Sequence, residues 1–216
     1  NADGSVAEMC GNGVRVYARY LLDAGLIESG PLRLATRHGI RDVWGEAVGD
    51  LITVDMGLAE TANMPVTITV GGVRRPALPV DLGNPHAVVM MEDPVGGLDL
   101  TAAPIVPRAA FPAGANVEFV NVVSPGRLRM RVIERGVGET RSCGTGACAA
   151  AVAAGPGRDW RVDVPGGQLL VRWAGNRVLL SGPAVLVAEG VLRSELFQRN
   201  AGIAPLDDSA RGPDVP

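Results

Sequence analysis

Two stretches of this chain repeat one another: Met9-Cys10-Gly11-Asn12-Gly13 and Ser142-Cys143-Gly144-Thr145-Gly146. Each stands at the head of a segment that reads as a helix. After the first, Val14, Tyr17, Ala18 and Leu21 recur at helical spacing, Arg15 and Arg19 fall off that face, and Gly25 occupies the place of a helix C′ glycine. After the second, Gly144 to Gly155 is dominated by Ala and apolar nearly all round, which predicts a short helix buried on every side. A unit repeated so far apart in the chain predicts two similar halves.

Strands fill most of the remainder. Val66-Thr67-Ile68-Thr69-Val70 alternates strictly, with Gly71-Gly72 as a turn. Arg127-Leu128-Arg129-Met130-Arg131-Val132 alternates with one guanidinium face, read as a solvated sheet face rather than a binding patch. Trp160 to Leu192 reads as a meander turning at Pro165-Gly166-Gly167 and Ala174-Gly175-Asn176, and 204–216 as a disordered tail. Many strands with two isolated helices predict an α+β class.

Composition narrows the function. At 216 residues, 47% hydrophobic and 20% charged, the chain suits one large or two small soluble domains, and no apolar run approaches a helical membrane span. The net charge of −3 disfavours nucleic acid as a partner. With 29 Gly, 16 Pro and 4% aromatics, short strands and tight turns are expected. Every basic residue is Arg, so neither a Schiff-base lysine for pyridoxal phosphate nor a P-loop lysine is available. Three Cys do not make a disulfide framework and suit a reducing compartment. Cys143 and Cys148 lie off one helical face with only His38 and His86 as imidazoles, which makes zinc a poor reading; Cys148 reads as a small core residue.

A thiol at a helix N-terminus feels the positive end of the dipole, and flanking glycines let free N–H groups approach an anion. Two such helices face to face would grip one carboxylate and set a sulfur on each side of the carbon attached to it. One thiolate then removes the α-proton while the opposite thiol delivers another, the requirement of a racemase or epimerase working without a cofactor.

Several further motifs accompany the pair: Asn1-Ala2-Asp3-Gly4-Ser5, Gly83-Asn84-Pro85-His86, Asn116-Val117-Glu118-Phe119, Glu134-Arg135-Gly136-Val137-Gly138-Glu139-Thr140, Val164-Pro165-Gly166-Gly167 and Gly182-Pro183-Ala184. In this order the set resembles the diaminopimelate epimerase family. The resemblance implies two pseudo-symmetric domains, each a curled, mostly antiparallel sheet around a central helix, with the site between them. The first would be 1–54 plus about 188–203, and the second 55–187. It implies Cys10 and Cys143 as the acid/base pair. Gly11, Asn12, Gly144 and Thr145 would hold the reacting carboxylate, Asn1, Asn84, Asn116 and Arg135 the distal end of the substrate, and Glu134 would also bind it. His86 and Glu134 would tune the cysteines.

The implied reaction interconverts L,L- and meso-diaminopimelate, in lysine and peptidoglycan precursor synthesis. The implied enzyme is a cytoplasmic homodimer acting on a small molecule, with no cofactor, metal, nucleic acid or membrane. Two other readings stay open: a proline or hydroxyproline racemase, and a non-catalytic scaffold keeping the fold. The chain starts at Asn1 without Met and without the family's upstream Gly-Asn-Asp-Phe stretch and later Gln. It is therefore read as N-terminally truncated, and as poorly stable or inactive alone.

Overall fold

The computed structural model describes residues 9–37, 39–45, 49, 51–62 and 64–191; Asn1, His38 and the 204–216 tail lie outside them. Helix α1 spans Gly11–Asp23, and β1 (Gly30–Thr36), β2 (Gly39–Gly45), β3 (Leu51–Leu58) and β4 (Glu60–Thr61) follow. Next come β5 (Val66–Val70), β6 (Val73–Asp81), β7 (Pro85–Met91), a 3-10 turn (Val95–Gly97), β8 (Asn116–Ser124), β9 (Arg127–Glu134) and β10 (Gly138–Thr140). Helix α2 (Gly144–Ala154) precedes β11 (Trp160–Val164), β12 (Gly167–Ala174) and β13 (Arg177–Pro183). The class is the expected α+β. Among the described residues the last strand of the meander ends at Pro183, and Leu192 lies outside them.

The turn chemistry explains where elements stop. Gly25, at φ 63°, closes α1 as a Schellman motif, with Leu26 N–H donating to Leu21 O and Gly25 N–H to Leu22 O. Gly71 and Gly72 both have positive φ and join β5 to β6 by a two-residue turn in the register Val70↔Val73.

The strands follow the order β1-β2-β3-β13-β12-β11-β9-β8-β7-β6-β4, with β5 paired to β6 and β10 to β9. Pairing is antiparallel except β7 with β8 and β9 with β11. Helix α2 packs against β6, β7, β8, β9, β11, β12 and β13. A helix about 10 Å wide meets only two or three strands of a flat sheet at about 4.8 Å spacing, so this sheet is curled around it. That explains the alanines: Gly144 through Ala151 are all buried, leaving no solvent face for a longer side chain. Helix α1 lies in the bend formed by β2, β3 and β13 and touches α2. Across the β3–β13 seam, Arg177 pairs with the buried Asp55 at 2.6 Å.

Helix α1 corrects the expected face. Its buried residues are Gly11, Arg15, Ala18, Arg19 and Leu22, while Tyr17 is about half exposed. The polar heads are buried because they are used. Arg19 donates to the carbonyls of Ala184 and Gly49 and pairs with Asp23. Arg15 donates to Gly11 O and Asn12 Oδ1. The arginine stripe on β9 is a surface feature, Arg127 pairing with Asp163 and Arg131 with Glu139, each at 2.7 Å.

Strand alternation divides the core. Val88, Val120, Leu128, Met130 and Val132 face the helices, while Ala87, Val89, Val117, Phe119 and Ile133 build a second cluster on the other face. The same parity directs His86 and Glu118 toward α2. Because α2 is enclosed, Ala150→Leu is expected to cost at least about 1–3 kcal/mol in chemical denaturation. A variant of unchanged stability would mean that the curled sheet is looser than described.

Candidate active site

Cys10 and Cys143 are the N-caps of α1 and α2. Their backbones nearly coincide, at φ −130°, ψ 102° and φ −121°, ψ 117°. In each the sulfur accepts the N–H three residues on, Gly13 or Gly146, at 3.4 Å. A thiol thus stands where a cap hydroxyl usually does, its sulfur on the positive end of the helix.

The two helix starts abut. A Cβ on Gly144 would lie 3.5 Å from Gly11 Cα and 3.0 Å from Leu180 Cδ2, and one on Gly11 would lie 3.1 Å from the same Leu180 methyl. One methyl group therefore crowds the space that a Cβ on either glycine would need. Asn12 spans the junction, donating from Nδ2 to Ser142 O at 3.3 Å. Neither helix carries an acidic residue in its first turn.

Arg15 adds a cation beneath this junction. It is 5% exposed, and its Nε is buried without a partner. Among the described residues no carboxylate forms an ion pair with it. Burial pulls its pKa down, against the sulfurs of Cys148 and Cys10.

A hydrogen-bonded chain runs away from Cys143. Its Sγ lies 3.5 Å from Thr145 Oγ1, and Thr145 Oγ1 accepts from Asn84 Nδ2 at 3.2 Å. Asn84 Oδ1 meets His86 Nε2 at 3.1 Å, and His86 Nδ1 meets Glu118 Oε1 at 2.6 Å. His86 and Glu118 are wholly buried. Glu118 lies under the first turn of α2, where a Cβ on Gly146 would come within 2.7 Å of its Oε1. Its Oε2 is buried without a partner.

The other expected residues gather where β8 begins and β9 ends. Asn116 opens β8 opposite His86 and accepts the Arg135 N–H at 2.9 Å. Glu134 ends β9 and accepts from the Thr140 hydroxyl. Arg135 is exposed, with Nη1 3.4 Å from Ala113 O. Asn1 lies outside the described residues.

The two thiols differ in surroundings. Cys10 is exposed and Cys143 buried. Burial, with the charges of Glu118 and then Glu134, pushes the Cys143 thiol up to about 12, against the Thr145 hydroxyl and the Gly146 N–H. Burial also pushes Cys148 up, with Cys143 adding to the rise and Arg15 opposing it.

With this geometry in hand, the comparisons are specific. Residues 1–62 and 79–187 match the sequence profile of diaminopimelate epimerase. The chain belongs to the diaminopimelate epimerase family. It is 48% identical over 217 residues to the diaminopimelate epimerase of Acidothermus cellulolyticus, an alignment covering 94% of this chain and 68% of that protein. It is 50% identical over 202 residues to the one from Thermobifida fusca, covering 89% of this chain and 71% of that protein.

Two solved structures share the fold at low identity. A hydroxyproline epimerase from Agrobacterium vitis superposes with a TM-score of 0.61 at 18% identity, covering 84% of this chain and 66% of that one. A Bacillus anthracis phenazine biosynthesis protein gives 0.62 at 16%, covering 87% of this chain and 77% of that one.

Two residues of the junction were not singled out from the sequence. Arg15 stands four residues after Gly11, the spacing that shares a helix face. Glu118 stands two after Asn116, the spacing that shares a strand face. Each signal is visible only once the direction of the face is known.

The Cys143 shift fixes a pH dependence. Its folded pKa lies above the ordinary 9.0, so the buried thiol keeps a proton that the unfolded chain loses. Its contribution is complete below pH 9 and is lost as pH rises toward 12. Denaturation at stepped pH is expected to show stability falling over that window. Cys143→Ser should make the fall shallower by about 1.4 kcal/mol per pH unit. Equal slopes in parent and variant would refute the shift.

Proposed function

We propose that this chain is a cofactor-independent epimerase that interconverts L,L- and meso-diaminopimelate, with Cys10 and Cys143 as its acid/base pair. The observation that carries this reading is the junction of α1 and α2, where two capping thiols flank one patch of helix N–H groups. The family membership of the chain supports the choice of substrate.

In this reading the α-carboxylate sits on the N–H groups of Gly11, Asn12, Gly144 and Thr145. Negative charge that grows there as the α-proton leaves meets two helix ends whose own first turns carry no acidic residue. Arg15 beneath them is a third source of positive potential. Cys143, held as a thiol by burial and by Glu118 and Glu134, begins as the proton donor. Cys10 on the opposite side takes the α-proton, and the roles exchange in the reverse direction. Asn84, Asn116, Glu134 and Arg135, with Asn1, hold the distal amino-acid end of the substrate. An exposed guanidinium suits a carboxylate, and paired amide oxygens suit an ammonium. His86 and Glu134 tune the cysteines.

The proposal extends to the organisation around the site. The two helices with their strands are taken as two domains, 1–54 plus about 188–203, and 55–187. The enzyme is proposed to act in the cytoplasm as a homodimer, supplying lysine and peptidoglycan precursors. No described helix is long and apolar enough to cross a membrane.

Proton NMR of L,L-diaminopimelate in deuterated water under reducing conditions tests the reading. The parent protein should erase the α-proton signal and yield the meso isomer. Cys10→Ala and Cys143→Ala should each slow epimerisation by roughly 10²–10⁴-fold, the range for loss of a positioned acid or base. Epimerisation at the parental rate in either variant would contradict the two-thiol mechanism. Turnover of proline instead would contradict the substrate.

A further inference from the structure

Asn12 reaches from the first turn of α1 to the segment that enters α2, and its orientation is dictated from one turn further on. Arg15 Nη2 donates to Asn12 Oδ1 at 3.0 Å, and Asn12 Nδ2 donates to Ser142 O at 3.3 Å. A guanidinium stays charged and offers only donors, and a carbonyl oxygen only accepts, so the amide fits one way round. Turned over, it would set donor against donor and acceptor against acceptor. Ser142 is the residue before the Cys143 cap, so the chain Arg15–Asn12–Ser142 ties the start of one helix to the entrance of the other. That entrance is also held from the turn between β11 and β12, where Gly166 N–H donates to Arg141 O at 2.7 Å.

The guanidinium is itself placed by its surroundings. Its Nη1 donates to Gly11 O at 3.2 Å, and a Cβ on Gly182 of β13 would lie 3.2 Å from its Nε and 3.3 Å from its Cζ. The missing side chain of Gly182 leaves the room in which Arg15 lies. We propose that Arg15, seated against Gly182, is a positioning residue: it turns the Asn12 amide so that Nδ2 holds the Ser142 carbonyl, and so keeps the Cys10 and Cys143 caps in register across the junction. Without the guanidinium, Asn12 Oδ1 loses its partner and the amide is free to rotate off Ser142 O. The orphaned Nε fits this role. A buried cation with a donor unused is costly as packing, and an apolar side chain of similar length would fill the space more cheaply.

Two other roles for Arg15 are separable from this one. If it worked by charge alone, on a bound carboxylate or on the sulfurs of Cys148 and Cys10, its loss and the loss of the Asn12 side chain would act independently, and their effects would multiply. If it merely held α1 together, its loss would loosen the whole helix. Acting through Asn12, it has nothing left to position once Asn12 is truncated, and its loss frees one side-chain amide while the helix stays protected.

The test has two arms. The first is NMR hydrogen exchange of the Asn12 side-chain amide, identified by its disappearance in Asn12→Ala. In Arg15→Met this amide is expected to exchange about tenfold faster than in the parent, the worth of one hydrogen bond, while the backbone N–H of the buried Ala18 in α1 stays within about threefold. Gly182→Ala, whose methyl would press on the guanidinium, should move the Asn12 amide in the same direction and decides the matter if Arg15→Met does not fold. An unchanged Asn12 amide, or a parallel rise at Ala18, overturns the proposal. The second arm is a double-mutant cycle on the epimerisation rate. Arg15→Met and Asn12→Ala should each cost roughly 10–100-fold, toward what a misplacement of about 1 Å can cost, and the double variant should fall within about threefold of the slower single one. A double variant slowed by the product of the two losses overturns the proposal. This arm rests on the epimerase reading, whereas the exchange arm needs no substrate. A parent without turnover therefore counts against that reading, and the exchange alone then decides the placement.

Discussion

The meeting of two helix N-termini at Gly11 and Gly144 is the constraint on which the rest of the structure depends. Helices avoid setting like dipole ends together, and here a buried guanidinium is added to the same region. The arrangement stands because each helix is held by its own surroundings: α2 by a sheet curled around it, α1 by β2, β3 and β13. The Leu180 methyl beneath both glycines would have to give way by a few tenths of an ångström to admit a Cβ on either. Neither helix offsets the resulting positive potential with an acidic residue in its own first turn, and the α-carboxylate of the proposed substrate would bring the opposite charge.

The asymmetry of the two thiols follows from the same packing. The caps are alike in backbone and hydrogen bond, so the repeat is genuine at the level of the chain. What differs is what lies behind each sulfur. Cys143 backs onto buried strands carrying His86, Glu118 and Glu134, whereas Cys10 is open to solvent. A local repeat thus yields two thiols in different surroundings, as the proposed two-base reaction would require.

Much of this was legible in the sequence for identifiable reasons. The Cys-Gly-polar-Gly grammar is local, and so are the Gly25 stop, the Gly71-Gly72 turn and the alternation of β5 and β9. The alanine-rich helix announced its enclosure. The helix face of α1 was misread because Tyr17 is apolar by type yet half exposed, while Arg15 and Arg19 are polar by type yet buried on carbonyl groups. Hydrophobic periodicity cannot see a guanidinium satisfied by backbone. Glu118 was passed over for a related reason: its partner His86 comes from a different strand, and only the parallel β7–β8 register brings the two together. The seam between β3 and β13 joins distant parts of the chain, and no local pattern marks it.

The account stands or falls on whether Cys10 and Cys143 open onto one site. Mild oxidation of the native protein with diamide, followed by mass-spectrometric mapping of cross-linked peptides, addresses this without a substrate. The two-thiol reading predicts a Cys10–Cys143 disulfide, with Cys148 recovered as a free thiol and the bond reversed by reductant. Recovery of all three thiols free from oxidised, folded protein, or a bridge that includes Cys148, would contradict it.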